Sequence, residues 1–100
     1  MVRHIVMWKL KDFAEGNDKA ANIEIARRRL EGLRAELPII RSMEFGVNER
    51  AGDMAYDVAL IMDFDSFDDL EAYLNYPPHK EISRFVKSVR ESRTSVDYQY

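Results

Sequence analysis

Strand-forming residues near the N-terminus of this chain are apolar on both faces, and that property constrains the fold more than any other. Residues 2–10 read as a first strand through Val2, Ile5, Val6, Met7 and Trp8. Side chains alternate along a strand, so Val6, Trp8 and Leu10 share one face while Ile5 and Met7 share the other. A later strand, about 54–64, does the same, with Tyr56, Val58, Leu60, Met62 and Phe64 opposite Ala55, Ala59 and Ile61. An antiparallel sheet with one solvated side should alternate cleanly between apolar and polar, and this one does not. Helices can cover only one face, which leaves the other as an apolar patch of the kind that marks an interface. Two copies packing sheet to sheet, in the two-fold symmetry usual for homodimers, would bury it.

The remaining elements follow from periodicity and punctuation. Asn17 or Asp18 can cap a helix whose stripe is Ile23, Ala26, Leu30, Leu33 and Leu37, and Pro38 ends it. A second strand, about 40–48, sets Met43, Phe45 and Val47 against Ser42, Glu44 and Gly46, and a polar hairpin loop follows over 48–53. Ser66 caps a further helix, with Asp69 at the capping-box position and Phe67, Leu70, Tyr73 and Leu74 directed inward. Pro77-Pro78 breaks it and starts another helix carrying Ile82, Phe85, Val86 and Val89. A last strand spans about 92–99. The order is β-α-β-β-α-β, a split βαβ arrangement, so the expected class is α+β, ferredoxin-like, with an antiparallel sheet and helices on one face. At 100 residues the chain is expected to form one domain, residues 1–100.

Charge and composition exclude several functions. The formal net charge of −3 argues against a nucleic-acid binder. The one basic cluster, Arg27-Arg28-Arg29 with Arg34, is interleaved with Glu24, Glu31 and Glu36, as on a solvated helix face. There is no cysteine, hence no disulfide, thiolate nucleophile or cysteine-ligated metal. No stretch approaches a membrane span, and the apolar N-terminal run is too short for a signal peptide and is interrupted by Lys9 and Lys11, so the cytoplasm is the expected location. No HExxH, glycine-rich phosphate loop, GxSxG or EF-hand spacing occurs, and neither a metal nor a cofactor is called for.

Three residues could carry chemistry. His4 lies on the first strand on the face of Val6 and Trp8, and His79 follows Tyr76-Pro77-Pro78, whose restricted backbone would hold its imidazole in place. Tyr73 sits on the apolar side of its helix, six residues before His79, where a phenol needs a hydrogen-bond partner. The residues alone equally accommodate a satisfied strand histidine, an exposed helix-start histidine and a core tyrosine. Among the strand acids, Asp57 and Asp97 could sit near the sheet centre, with solvated or interface ion-paired positions the plainer expectation.

Taken together, the chain resembles the stress-responsive dimeric α/β-barrel (Dabb) domain proteins from end to end. Val2-Arg3-His4-Ile5-Val6-Met7-Trp8-Lys9-Leu10-Lys11 looks like the family's first strand, and Tyr56-Asp57-Val58-Ala59-Leu60 leading to Phe64-Asp65-Ser66 like its third. Tyr73-Leu74-Asn75-Tyr76-Pro77-Pro78-His79 resembles its Tyr-x-x-His-Pro-x-His segment, and Ser92-Arg93 with Val96-Asp97-Tyr98 its closing strand. Tyr76 departs from that pattern, since a histidine is common there. The resemblance implies a homodimer whose two antiparallel sheets face each other as a barrel, with a small-molecule pocket between each sheet and its own helices. It also implies, through a plant branch similar to polyketide cyclases that perform a cofactor-free aldol condensation, His79 as base, Tyr73 assisting and His4 holding the substrate.

Three functions follow as expectations. The first is a cofactor-independent enzyme, cyclase- or isomerase-like, acting on a carbonyl compound. The second is a non-catalytic, stress-associated homodimer that binds a hydrophobic ligand or a protein. The third is a small monooxygenase or haem-binding relative, for which only His4 and His79 are candidate axial ligands.

Overall fold

Nine elements are arranged along residues 1–100 in a computed structural model of the chain. They are β1 (Val2–Leu10), β2 (Phe13–Ala14), β3 (Asn17–Asp18), α1 (Lys19–Glu36), β4 (Ser42–Val47), β5 (Val58–Phe64), α2 (Phe67–Asn75), α3 (Pro77–Val89) and β6 (Arg90–Gln99). The main sheet has the order β4-β5-β1-β6 and every neighbouring pair is antiparallel. This is the predicted ferredoxin-like β-α-β-β-α-β plan, with the second helical segment divided at Pro77.

Register decides which side chains share a face, because residues directly opposite one another project the same way. His4 stands opposite Met62 on β5 and Asp97 on β6; Arg3 stands opposite Asp63 and Tyr98. Val2, His4, Val6, Trp8 and Leu10 are all buried, and with Val58, Leu60, Met62 and Phe64 they form the face covered by helices. The opposite face holds Ile5, Met7, Ala59, Ile61, Val96 and Tyr98, with Met7, Val96 and Tyr98 exposed. The two-faced apolar sheet read from the sequence is thus present.

The helices are held by local chemistry that the sequence announces. The Asp18 carboxylate accepts the Ala21 N–H at 2.8 Å, and Ser66 Oγ accepts the Asp69 N–H at 3.1 Å, so both N-termini are capped as expected. Pro77 and Pro78 open α3, where the missing N–H groups cost no helical bond. Arg27 pairs with Glu24 and Glu31, and Arg28 with Glu24, so half of the basic cluster is neutralised along its own helix. On the inner face, Ala26, Leu30 and Leu33 of α1 and Ile82, Val86 and Val89 of α3 join the core.

Several boundaries differ from the sequence reading. The third strand begins at Val58, not near 54, and Met54 is 94% exposed. Asp57 ends the irregular stretch because its carboxylate accepts the Leu10 N–H at 2.8 Å and lies 3.2 Å from Lys19 Nζ. The α1 stripe buries Asn22 where Ile23 was expected, leaving Ile23 and Leu37 only half-buried. Phe67 is exposed, and α2 buries only Leu70 and Tyr73. Phe85 is half-buried beneath the Arg29 guanidinium, 4.7 Å from its ring centre, linking α1 to α3. The hairpin of β2 and β3 has no counterpart in the sequence reading. No helix is long and apolar enough to cross a membrane.

Candidate functional site

The helix-covered side of the sheet encloses a cavity of about 270 Å³. β1 contributes His4, Val6 and Trp8 to its wall, the α2 segment Tyr73 and Leu74, and α3 His79, Ile82, Ser83 and Val86. Leu30 of α1, Leu60 of β5, and Arg90 and Arg93 of β6 complete it. The three residues singled out from sequence therefore line one space. The Tyr73 and His79 ring centres are 4.3 Å apart, and the His4 ring lies 6.2 Å from Tyr73, edge-on.

Each of the three is held in a defined state. His79 Nδ1 lies 3.2 Å from the Leu74 carbonyl oxygen. A carbonyl only accepts, so Nδ1 carries the proton and Nε2 bears the lone pair in the neutral ring. Burial pushes the His79 pKa below that of an ordinary histidine, which keeps the ring neutral near pH 7. The α2–α3 junction makes this geometry: α2 stops at Asn75, Pro77 restarts the helix, and the short break turns the Leu74 carbonyl toward the first turn of α3.

Tyr73 is 1% exposed and packs on Phe64, with ring centres 5.4 Å apart. Its hydroxyl has no hydrogen-bond partner in the chain, and burial raises its pKa well above that of an ordinary phenol. It is a proton-bearing donor with its hydrogen bond still to give. His4 is 4% exposed, and its Nδ1 sits 2.5 Å from Asp97 Oδ1 on the neighbouring strand. The carboxylate accepts from Nδ1–H, which fixes the ring and leaves Nε2 as its second polar atom. No three histidine or acidic side chains gather as a metal site requires.

The chain matches the family model described as the stress responsive A/B barrel domain over residues 2–100. It belongs to that family. Among solved structures it is similar to a dimeric protein of unknown function with a ferredoxin-like fold from Bacteroides fragilis, at 32% identity and TM-score 0.87, covering 99% of this chain and 95% of that one. It is also similar to a dimeric ferredoxin-like protein of unknown function from Thermobifida fusca, at 23% identity and TM-score 0.84, covering 99% and 90%. A hydroxynitrile lyase from Passiflora edulis aligns at 19% identity and TM-score 0.81, covering 97% and 90%, and at that distance shares the fold alone. No match was found among curated proteins.

For this Dabb domain, sequence reasoning named three residues that line the cavity, placed Asp97 only as a strand acid without a partner, and missed three others on the wall. Asp97 is the partner of His4, and Ser83, Arg90 and Arg93 are wall residues. Antiparallel pairing of the first and last strands puts Asp97 opposite His4, so a register assignment would have found it; periodicity within each strand does not.

Proposed function

We propose that this Dabb domain is a homodimeric, cofactor-independent enzyme that removes a proton from carbon next to a carbonyl group. The observation that carries this reading is the convergence of His4, Tyr73 and His79 on one cavity of about 270 Å³. His79 Nε2 takes the proton, the C–H electron pair forms the new C=C bond, and the carbonyl π pair moves to oxygen. The Tyr73 hydroxyl donates a hydrogen bond to that oxygen and stabilises the enolate as charge develops. Its raised pKa keeps the phenol from losing its own proton. His4, braced by Asp97, fixes the other side of the ligand. Pairing of two copies through the open face is supported by its apolar centre and by the dimeric relative from Bacteroides fragilis.

The test is deuterium uptake. Acetylacetone, cyclohexanone and 4-oxooctanoate are held in D2O with and without protein, and loss of the α-proton signal is followed by NMR. Protein-dependent exchange is expected for at least one compound, falling about 10²–10⁴-fold in His79→Ala. The absence of protein-dependent exchange across the set defeats the enzymatic reading. Apolar walls at Trp8, Leu30, Leu60 and Val86 support the second reading, a ligand-binding dimer without catalysis. It predicts tight binding of an apolar ligand that His79→Ala leaves unchanged.

A further inference from the structure

The cavity wall has a charge sign opposite to that of the protein. The chain has 18 acidic and 15 basic side chains, yet the wall includes two arginines and no carboxylate. Asp97, on the same strand as the two arginines, is committed to His4. Neither Arg90 nor Arg93 enters an ion pair; Arg29, Arg34, Arg50 and Arg84 are also unpaired, but only Arg90 and Arg93 of the six line the cavity. Arg93 has only Ser95 Oγ at 3.4 Å, a long contact. Register places Arg93 opposite Trp8, on the helix-covered side. Its charge reaches the site as a secondary influence, opposing the rise that burial causes at Tyr73 and adding to the fall that burial causes at His79.

A solvated arginine needs no partner, and one at the rim of a cavity would mean little. Two from the same strand, with the Ser83 hydroxyl on the same wall and apolar side chains behind them, describe a polar end and an apolar end of a single space. From this we infer that the cavity takes a ligand carrying a carboxylate, with Arg90 and Arg93 forming the anion subsite. The inference rests on the proposed function and specifies its substrate class: a small keto acid with an apolar tail. The carboxylate lies at β6, the ketone between Tyr73 and His79, and the tail along Leu30, Leu60 and Val86. The volume, about nine times that of a water molecule in the liquid, holds about a dozen non-hydrogen atoms.

The probes are 4-oxooctanoate and its isosteric neutral amide, 4-oxooctanamide, with octanoate as a carboxylate that has no ketone. Binding is measured by calorimetry at low and high salt. The acid is expected to bind about tenfold more tightly than the amide, and the preference to shrink as ionic strength rises. Arg93→Gln combined with Arg90→Gln should abolish the preference while leaving amide affinity unchanged; Arg93→Lys with Arg90→Lys should retain part of it. Circular dichroism and thermal melting show whether each variant is folded. Equal affinity for acid and amide in the wild-type protein overturns the anion subsite, as does failure of both carboxylates to bind. These failures are distinct from failure of the enzymatic reading: deuterium exchange of a neutral ketone that depends on His79, without acid preference, removes the subsite alone. Acid preference without any exchange keeps the subsite and removes the enzyme.

Discussion

The two faces of the sheet are built from the same four strands and could hardly differ more. On the covered face every β1 residue is buried and the polar groups turn inward: His4 to Asp97, His79 to Leu74, Tyr73 unpartnered. On the open face Ile5, Met7, Ile61 and Val96 form an apolar centre, and the polar groups at one end satisfy one another. There Asp63 takes Arg3 Nε at 3.0 Å, Ser42 Oγ at 2.6 Å and the Tyr100 hydroxyl at 2.9 Å. A polar network that closes on itself suits a surface to be packed against a partner, whereas polar atoms left free suit a space to be filled by a ligand. The alternation of one strand separates the two uses by a single residue.

Neighbouring residues of β5 give the sharpest way to break this contrast. Leu60→Ala removes a side chain 2% exposed on the covered face, and a loss of about 2–5 kcal/mol is expected in denaturant unfolding at fixed protein concentration. Ile61→Glu, one residue later on the open face, should instead weaken self-association by about a hundredfold, read by sedimentation at graded concentrations, with the fold retained. If Ile61→Glu leaves the association state unchanged, the open face is not the self-interface.

Smaller effects should appear in the pH dependence of stability, one from each face. Asp63 is held at about 2, below the usual 3.8, by the hydrogen bond from Arg3 and then that from Ser42. Its folded pKa is depressed, so the stabilisation is complete above the unfolded value and is lost as pH falls from near 3.8 through about 2. Asp63→Asn should flatten that acid limb. His79 has the opposite sign: burial lowers its folded pKa, the unfolded chain takes up the proton first, and stability declines as pH falls below about 6.5. His79→Gln should remove this decline while leaving the limb near pH 3 intact. A limb that persists unchanged in its own variant would show that the residue is not its source.

Much of this was legible in the sequence, and the parts that were not share a cause. Element order, both helix caps, the proline break and the two apolar faces are local properties, written within a few residues of where they act. The β2–β3 hairpin escaped because its two-residue turn, Glu15-Gly16, has φ of 52° and 75°, and glutamate at a left-handed position is not a usual turn signal. It is fastened by Asn22, whose side-chain N–H donates to the Ala14 carbonyl at 3.0 Å, a contact with no periodic signature. At the site, His4, Tyr73 and His79 could be proposed from residue type, position and family likeness. Asp97, Arg90 and Arg93 depend on how β6 registers with β1, a relation across some ninety residues that no local pattern contains.

That register has its own safeguard. Arg3 and His4 are consecutive, and each meets an aspartate on a different flanking strand, Asp63 on β5 and Asp97 on β6. A slip of β1 by one residue would turn the arginine into the helical layer and the histidine out to the open side, costing Asp97 its side-chain partner and Asp63 its cationic one. The pair is a two-toothed key: the alignment of the central strand that seats both side chains on their acids is the same alignment that builds the cavity.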